Sequence, residues 1–452
     1  MRRSMLVGLF LLSLAVAHMV VIPDSFPTIQ AGIDGAANGD TVLALVNRYY
    51  ENIDFHGKNV VVASQFLLEG QGVWILKTVI DGSQPLDPDT ASCVRIVSGE
   101  DSTAQLVGFT ITGGTGTRWQ DEHGAGLFRE GGGVLIQASS PVIRHNIITE
   151  NSATDRTGCV SAGGGAIRVG DGNPLIVSNV IDNNAGRYGA GVVFNYSGGT
   201  MRNDIIAFNV GGEDYGGGGV WAYENGPAGK LTENCTFVGN RSAQVGGGVR
   251  YWSADGSFRN CIFWANHATN GAQVHPMSGA PVTTYCDIQG GRAGAGNIDT
   301  LPNWSLGDFL LHVPSPCVDA GDPNTVYDDP DSAGVARWPA LGSLRNDMGA
   351  YGGPLAGDLN AGISGGIMDE ASVGATRPSL RIWPQPAARM VNVAGPSAVR
   401  VIVSDVAGRG VLSGAMDARG ELVLDVSRLR AGVYLCRAVG TRAATARIIV
   451  GR

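Results

Sequence analysis

A sequence motif of small residues followed by an apolar residue recurs along the middle of the chain. After each copy, apolar and polar positions alternate, and a second short apolar segment bounded by asparagine follows. The copies are spaced by roughly 25–32 residues, which is typical of a solenoid whose repeats stack on one another. They read GGGV at 131–134, GGGAI at 163–167, GAGV at 189–192, GGGV at 217–220, GGGV at 246–249 and a degenerate GAQV at 271–274.

The alternation predicts which side chains face the core, because successive residues of a strand point to opposite sides. The inward positions are apolar: Val134, Ile136, Val192, Phe194, Val220, Ala222, Val249 and Tyr251. The outward positions stack in two columns from coil to coil. One column contains Leu135, Arg168, Val193, Trp221, Arg250 and His275. The other includes Gln137, Asn195, Tyr223 and Trp252.

The asparagine-bounded segments, such as HNIITEN at 145–151 and NCTFVGN at 234–240, predict amide ladders with a structural role. Three cysteines, Cys235, Cys261 and Cys286, occupy one position in successive repeats. Stacked positions of a parallel sheet lie about 4.8 Å apart, which favours an interior ladder of thiols. Disulfides are the alternative, although seven cysteines leave at least one unpaired in a monomer.

The N-terminal part of the chain predicts a capping helix followed by buried strands. IQAGIDGAA at 29–37 has helical periodicity, and TVLALV, NVVVAS and WILKTVI read as strands. Ile29-Gln30, the run from Gly39 to Val42, the run from Tyr50 to Ile53, and Gly57-Lys58 resemble the opening of pectate-lyase-like, right-handed parallel β-helix proteins. VNRY at 46–49 departs from that pattern. Most of 131–270 resembles extracellular β-helix surface proteins, and 297–354 resembles the segment that closes such helices.

The last part of the chain changes composition. Residues 357–377 are rich in Gly, Ala and Ser and predict a linker, whereas 378–452 contains short alternating segments that predict an Ig-like β-sandwich. This region resembles the type A C-terminal sorting domain of the type IX secretion system, with a FlgD-like immunoglobulin domain as the alternative. Gln385 departs from the sorting-domain pattern. The residues that carry the resemblance are Pro384, Pro386, Asp405, Gly408, Leu429, Gly432 and Tyr434.

The predicted fold class is therefore all-β: a right-handed parallel β-helix solenoid with a small C-terminal Ig-like β-sandwich. The predicted divisions are a signal peptide (1–17), an N-terminal cap with the first coils (18–130), Gly-rich repeats (131–300), an Asp-rich C-terminal cap (301–356), the linker (357–377) and the sorting domain (378–452).

Charge and targeting signals define the expected location and partners. Arg2 and Arg3, an apolar run and the Ala15-Val16-Ala17 site predict a secretory signal cleaved after Ala17, with a retained anchor as the alternative. After cleavage no transmembrane segment is expected. The net charge of -8 argues against a nucleic-acid partner. We therefore expect a secreted or outer-surface protein that uses the type IX secretion machinery.

Variable loops before the Gly-rich strands, above all 115–130, are the expected location of a site, because a rigid scaffold presents them. Aromatic rings stack on sugar rings and charged groups bind hydroxyls or uronates, so an extracellular polysaccharide or another surface polymer is the expected partner. The candidate carbohydrate-binding residues are Trp119, Arg168, Tyr188, Tyr215, Trp221, Tyr223, Arg250 and Trp252. The alternative is that these aromatic residues only pack against neighbouring loops.

Catalysis and metal binding are further hypotheses. A lyase needs a base, for which Arg168 or Arg250 are candidates, and a hydrolase needs two carboxylates. The acidic groove candidates are Asp121, Glu122, Asp155, Glu213 and Asp214. Calcium is the one cofactor considered, because it takes oxygen ligands. Its candidate ligands are Asp319, Asp322, Asp329, Asp331 and Asp347.

Three functions follow from these features. The first is a non-enzymatic module that binds carbohydrate or another extracellular polymer. The second is a polysaccharide lyase or glycoside hydrolase that acts in a groove on the same face. The third is a structural surface rod or adhesin. Whether the protein is an enzyme stays open at this point.

Overall fold

A computed structural model describes residues 17–226, 228–305, 308–357 and 359, together with 381–383, 390–394, 400–404, 410–415, 421–430, 432–439 and 444–450. The chain divides into two units, one formed by 1–300 and 319–359 and the other by 301–318 and 360–452. The expected signal sequence up to residue 16, almost all of the expected linker, and Pro384, Pro386, Asp405 and Gly408 lie outside the described residues.

Three parallel sheets, here called A, B and C, enclose the core of the first unit in about eight right-handed turns. Sheet A contains Met19–Ile22, Thr41–Ala44, Val61–Ser64, Gln105–Val107, Val142–Arg144, Leu175–Val177, Gly199–Arg202, Lys230–Glu233, Ser257–Arg259 and Val282–Thr284. Sheet B contains Asn47–Tyr49, Thr78–Asp81, Thr110–Thr112, Ile147–Thr149, Val180–Asp182, Ile205–Ala207, Thr236–Val238, Ile262–Trp264 and Asp287–Ile288. Sheet C contains Ile53–Asp54, Val94–Ile96, Val134–Gln137, Ile167–Gly170, Val192–Asn195, Val220–Tyr223, Val249–Trp252 and Val274–Pro276.

A fourth sheet, D, is formed by the loops that precede the sheet C strands. It contains Thr90–Ala91, Gly116–Gln120, Leu127–Glu130, Ser152–Ala153, Ala162–Gly163, Ala185–Tyr188, Val210–Gly216 and Arg241–Ser242. Helices span Ile29–Gly35, Phe66–Glu69 and Val73–Lys77, and a 3-10 turn spans Thr325–Tyr327. A two-stranded ribbon pairs Asp331–Ser332 with Val335–Ala336.

The register of sheet C confirms both predicted outward columns. Leu135, Arg168, Val193, Trp221, Arg250 and His275 are successive partners, and Gln137, Asn195, Tyr223 and Trp252 follow the same order around Gly170. The glycines of the Gly-rich motif are required at the corner before each strand of sheet C that follows this motif. Gly131 has a φ of 64°, a conformation that favours glycine, and a Cβ on Gly132 would lie 2.3 Å from the Gly165 carbonyl oxygen.

The N-terminal helix is confirmed at Ile29–Gly35, where Thr28 caps the first turn. The prediction that all of WILKTVI is a strand is wrong in its first half, because Val73–Lys77 is helical and only Thr78–Asp81 is extended. This helix lies against sheet B, since Thr110 Oγ1 donates to the Ile75 carbonyl. Packing against the sheet therefore outweighs the strand preference of these apolar residues.

Two kinds of asparagine stand at the corners of the coils. One kind forms interior ladders, as in Asn151, Asn184, Asn209, Asn240 and Asn266, where each side-chain oxygen accepts from the preceding coil. The other kind, represented by Asn203, Asn234 and Asn260, has positive φ and forms hydrogen bonds outside the coil.

A second interior ladder changes residue type along the solenoid. It begins with Asn146 and Asn179, continues with Asp204, and passes to Cys235, Cys261 and Cys286 through the register of sheet B. All seven cysteines are free thiols, and these three are fully buried. The interior thiol ladder is therefore confirmed.

The segment 319–359 lies along the side of the last coils. The outward asparagines Asn203, Asn234 and Asn260 bind its backbone: Asn203 Nδ2 donates to the Ala350 carbonyl at 3.0 Å, and Asn234 Nδ2 donates to that of Asp347 at 2.9 Å. Asn260 Oδ1 accepts from Asp322 N at 2.8 Å. The segment covers outward apolar positions of sheet B such as Ile262, which explains their burial. An end-capping role for 301–356 stays a prediction.

In the second unit, the described strands form two small antiparallel sheets. One contains Arg381–Trp383, Met390–Ala394 and Glu421–Asp425, and the other contains Gly410–Ala415, Arg400–Ser404, Gly432–Val439 and Ala444–Val450. Their buried side chains, including Val403, Leu424 and Tyr434, share one core. No helix among the described residues is long and apolar enough to cross a membrane.

Candidate functional site

Sheet D folds over the outer face of sheet C, so the first outward column is covered. Arg168 is 0% exposed and Trp221 6%, and Tyr188 from sheet D is buried with them. Tyr188, Val193 and Trp221 form a small apolar cluster outside the main core. In this arrangement these side chains support the surface above them and have almost no contact with solvent.

A buried ionic cluster anchors the hairpin that joins Gly116–Gln120 to Leu127–Glu130. Arg168 Nε lies 2.8 Å from Glu130 Oε2, and the Tyr188 hydroxyl donates to Glu130 Oε1. Burial raises the pKa of the Glu130 carboxyl, and the charge of Arg168 opposes that rise. Burial and the neighbouring Glu130 raise the pKa of Tyr188 well above its ordinary value.

Polar contacts fix the tip of the same hairpin. His123 Nε2 lies 2.8 Å from Asp171 Oδ1, and the His123 ring stacks on Tyr196 at 3.6 Å. Asp121 accepts from Asn195 Nδ2 at 3.1 Å and from two backbone N–H groups of its own turn. The longest variable loop is thus an ordered part of the face.

Four half-buried rings form what we call the aromatic surface: Tyr196, Tyr215, Tyr223 and Trp252. The ring centroids of Tyr223 and Trp252 are 5.4 Å apart, those of Tyr196 and Tyr223 5.3 Å, and those of Tyr215 and Trp252 6.2 Å. The buried Trp221 stacks beneath Tyr223 at 5.7 Å with an interplanar angle of 18°. The rings therefore form one continuous patch that crosses adjacent coils.

Trp119 and several of the acidic residues predicted from the sequence form hydrogen bonds or ion pairs with neighbouring groups. Trp119 lies on the hairpin, where its indole donates to Glu122 at 2.6 Å. Asp155 is exposed and accepts from the backbone of Thr157. Arg187 donates from Nη1 to Glu213 Oε2 and from Nη2 to Asp214 Oδ1, both at 2.8 Å. The hydrogen bond from Arg187 holds the pKa of Asp214 below its ordinary value. The structure thus distributes the five acidic groove candidates among separate turns and ion pairs.

The Asp-rich segment uses its carboxylates to bind backbone. Asp319 accepts from Ser343, Asp322 from Asn324 and Asp331 from Gly334. The buried Asp329 and Asp347 also accept backbone N–H groups, and burial raises their pKa values to about 8 and about 7. In the part of the chain that the structure describes, no group of three or more His, Cys, Asp or Glu side chains could hold a metal ion.

Sequence reasoning missed Asp171 and Tyr196 and did not pair Glu130 with Tyr188. Tyr196 directly follows a sheet C strand and has a φ of 49°, so the alternation that identifies strand positions does not extend to it. Glu130 and Tyr188 are separated by 58 residues, and only the stacking of sheet D strands joins them.

Three parallel sheets in which equivalent positions stack from coil to coil define a right-handed parallel β-helix protein. The family described as "Right handed beta helix region" matches residues 96–263, and "Secretion system C-terminal sorting domain" matches 381–451. The chain thus combines a β-helix region with a type IX sorting domain, and that domain points to export and a secreted or cell-surface location.

One solved structure, "Crystal structure of pectate lyase Pel9A", is similar over 71% of this chain and 89% of that chain, with 13% identity and a TM-score of 0.36. No curated protein matches the chain.

Deleting 378–452 is expected to block delivery to the cell surface while the β-helix stays folded, because the sorting strands have a core of their own. Fractionation should find the truncated chain in the periplasm, and protease resistance should show that the β-helix is intact. Full-length protein is the control. Normal surface delivery of the truncated chain would contradict this prediction.

Proposed function

We propose that the protein binds an extracellular carbohydrate polymer on the aromatic surface. The observation that carries the proposal is the contiguous, half-exposed patch of Tyr196, Tyr215, Tyr223 and Trp252. Aromatic side chains offer large apolar area with little loss of rotamer freedom, and they stack on the apolar faces of sugar rings.

The support beneath the rings favours recognition by a rigid surface. Trp221 stacks under Tyr223, and the ion pair of Glu130 with Arg168 anchors the adjoining hairpin. A surface that is already ordered loses less conformational entropy when it binds. Export through the sorting domain would bring this surface into contact with external polymers.

The contacts of the acidic candidates favour binding over bond cleavage. Asp121 is engaged by a turn and by Asn195, and Asp214 is bound through both oxygens by Arg187. A hydrolase requires one carboxyl to protonate the leaving oxygen and a second to act across the bond. Binding by the aromatic surface makes no such demand.

Replacing Tyr223 and Trp252 together with alanine should weaken polymer binding by roughly ten- to a hundredfold, because each stacked ring contributes about 1 kcal/mol. Affinity electrophoresis against a panel of soluble polysaccharides would measure the change. Trp338→Ala is the matched control, since Trp338 is 63% exposed and belongs to the segment along the side of the coils. Equal retardation of both variants by every polymer would contradict the proposal.

A further inference from the structure

Arg250 is a buried cation beside the aromatic surface. It occupies the outward column of sheet C between Trp221 and His275, and it is 7% exposed. Its guanidinium carbon lies 5.0 Å from the centroid of the Trp252 ring. Arg250 therefore belongs to the covered outward column of sheet C and also contacts a ring of the aromatic surface.

The other buried arginines of this face have carboxylate partners. Arg168 pairs with Glu130 at 2.8 Å, and Arg129 pairs with Asp89 at 3.3 Å. Among the described residues, none forms such an ion pair with Arg250, and desolvation alone lowers its pKa. A buried charge without a partner is costly, and proteins normally compensate it.

The contacts that Arg250 does make leave donors to spare. Nη1 donates to the Tyr215 carbonyl, Nη2 reaches Met277 Sδ at 3.1 Å, and Nε is buried without a hydrogen-bond partner among the described residues. A thioether is a weak acceptor, and the Met277 side chain is flexible and 57% exposed. Met277 can therefore move aside when a stronger acceptor arrives.

Neighbouring groups also suit an anion. Burial and the charge of Arg250 both lower the pKa of the half-buried His275, so the imidazole is neutral at neutral pH and leaves Arg250 as the cation of the pair. The centroids of the Tyr215 and Trp252 rings are 6.2 Å apart, and Arg250 contacts both residues.

We infer that Arg250 binds an anionic oxygen group, a carboxylate or a sulfate ester, carried by the polymer that stacks on the aromatic surface. The inference rests on the proposed function and names its ligand class as an acidic polysaccharide. Arginine matches both groups because its planar guanidinium can donate two parallel hydrogen bonds to two oxygens.

The test uses the full-length protein and three soluble probes of matched length: an oligogalacturonate, a sulfated glucan and the unsulfated glucan. Titration calorimetry should show about tenfold tighter binding of an anionic probe than of the neutral one. Arg250→Gln should abolish that preference, so that the anionic probes bind no more tightly than the neutral probe. Arg241→Gln, which alters an exposed arginine of the same coil, should keep it. Loss confined to one anionic probe identifies its group as the ligand.

The outcomes separate the two proposals. If no probe binds and no polymer of the polysaccharide panel retards the protein, both are overturned. If the neutral probe binds as tightly as the anionic probes, or if Arg241→Gln removes the preference equally, only the anion site is overturned. Arg250→Gln should not lower the melting temperature, because it removes an uncompensated charge. Should it do so, Arg250→Lys keeps the charge and loses the paired donors, and a preference unchanged in that variant would overturn the inference.

Discussion

Replacing Asp204 with asparagine is expected to raise the free energy of unfolding by about 2–4 kcal/mol at pH 9 and to change it little at pH 4. Asp204 stands in an interior ladder whose preceding members are Asn146 and Asn179. Its Oδ1 accepts from the backbone and side-chain nitrogens of Asn179, at 2.8 and 3.0 Å. Its Oδ2 is buried without a hydrogen-bond partner among the described residues.

The pH dependence follows from the direction of the shift. Burial raises the pKa of Asp204 to about 7, against about 3.9 in an unfolded chain. The folded state therefore binds the proton more tightly, so the stability linked to this group is fully present below pH 4 and is lost as the pH rises through 7. Asparagine keeps the acceptor oxygen and carries no charge, so it avoids that loss.

Urea unfolding followed by tryptophan fluorescence at pH 4 and pH 9 would measure the effect. Asp24→Asn, at an exposed position, is the control for net charge, and Asn179→Asp should produce the opposite effect by placing a second carboxyl in the ladder. The explanation fails if Asp204→Asn changes stability equally at both pH values.

Periodicity alone was sufficient to predict the stacked positions of sheet C and of the thiol ladder. The columns through Arg168 and Trp221 and the thiol ladder follow from counting residues between Gly-rich corners, because a parallel register repeats the same position in each coil. The ladder position of Asp204 is one residue beyond the asparagine that marks the segment NDIIAFN. Asn203 has positive φ, and its amide binds the Ala350 carbonyl outside the coil. Sequence spacing alone would instead assign Asn203 to the interior ladder.

Burial of the outward columns could not be predicted from the same pattern. Alternation along a strand predicts which side of the sheet a residue faces. Whether that side is buried depends on loops that pack over it, and the path of those loops depends on contacts between residues far apart in the sequence. Trp221 is buried because sheet D crosses it, and Ile262 because the segment 319–359 packs beside it. The exposed aromatic residues therefore follow from the fold of the loops and not from the repeat.

Replacing Arg168 with alanine is expected to destabilise the β-helix by about 3–5 kcal/mol, because it leaves the buried Glu130 carboxylate without its cation. The pair lies at 2.8 Å with both side chains almost fully covered. Since burial already raises the pKa of Glu130, the variant can relieve part of the cost by taking up a proton. The loss should therefore be smaller at pH 5 than at pH 8.

A variant that removes both charges of the Arg168–Glu130 pair shows whether the isolated carboxylate causes the loss of stability. Arg168→Met combined with Glu130→Gln should recover most of the stability, because neither partner is then left as an isolated charge. Arg118→Ala breaks the more exposed pair with Asp89, so solvent screening should make its effect on stability much smaller than that of Arg168→Ala. Urea unfolding of the four proteins at pH 5 and pH 8 separates charge from packing. If the double variant is as unstable as Arg168→Ala, lost side-chain packing and not the uncompensated carboxylate governs this site, because the arginine side chain also fills space beneath the hairpin.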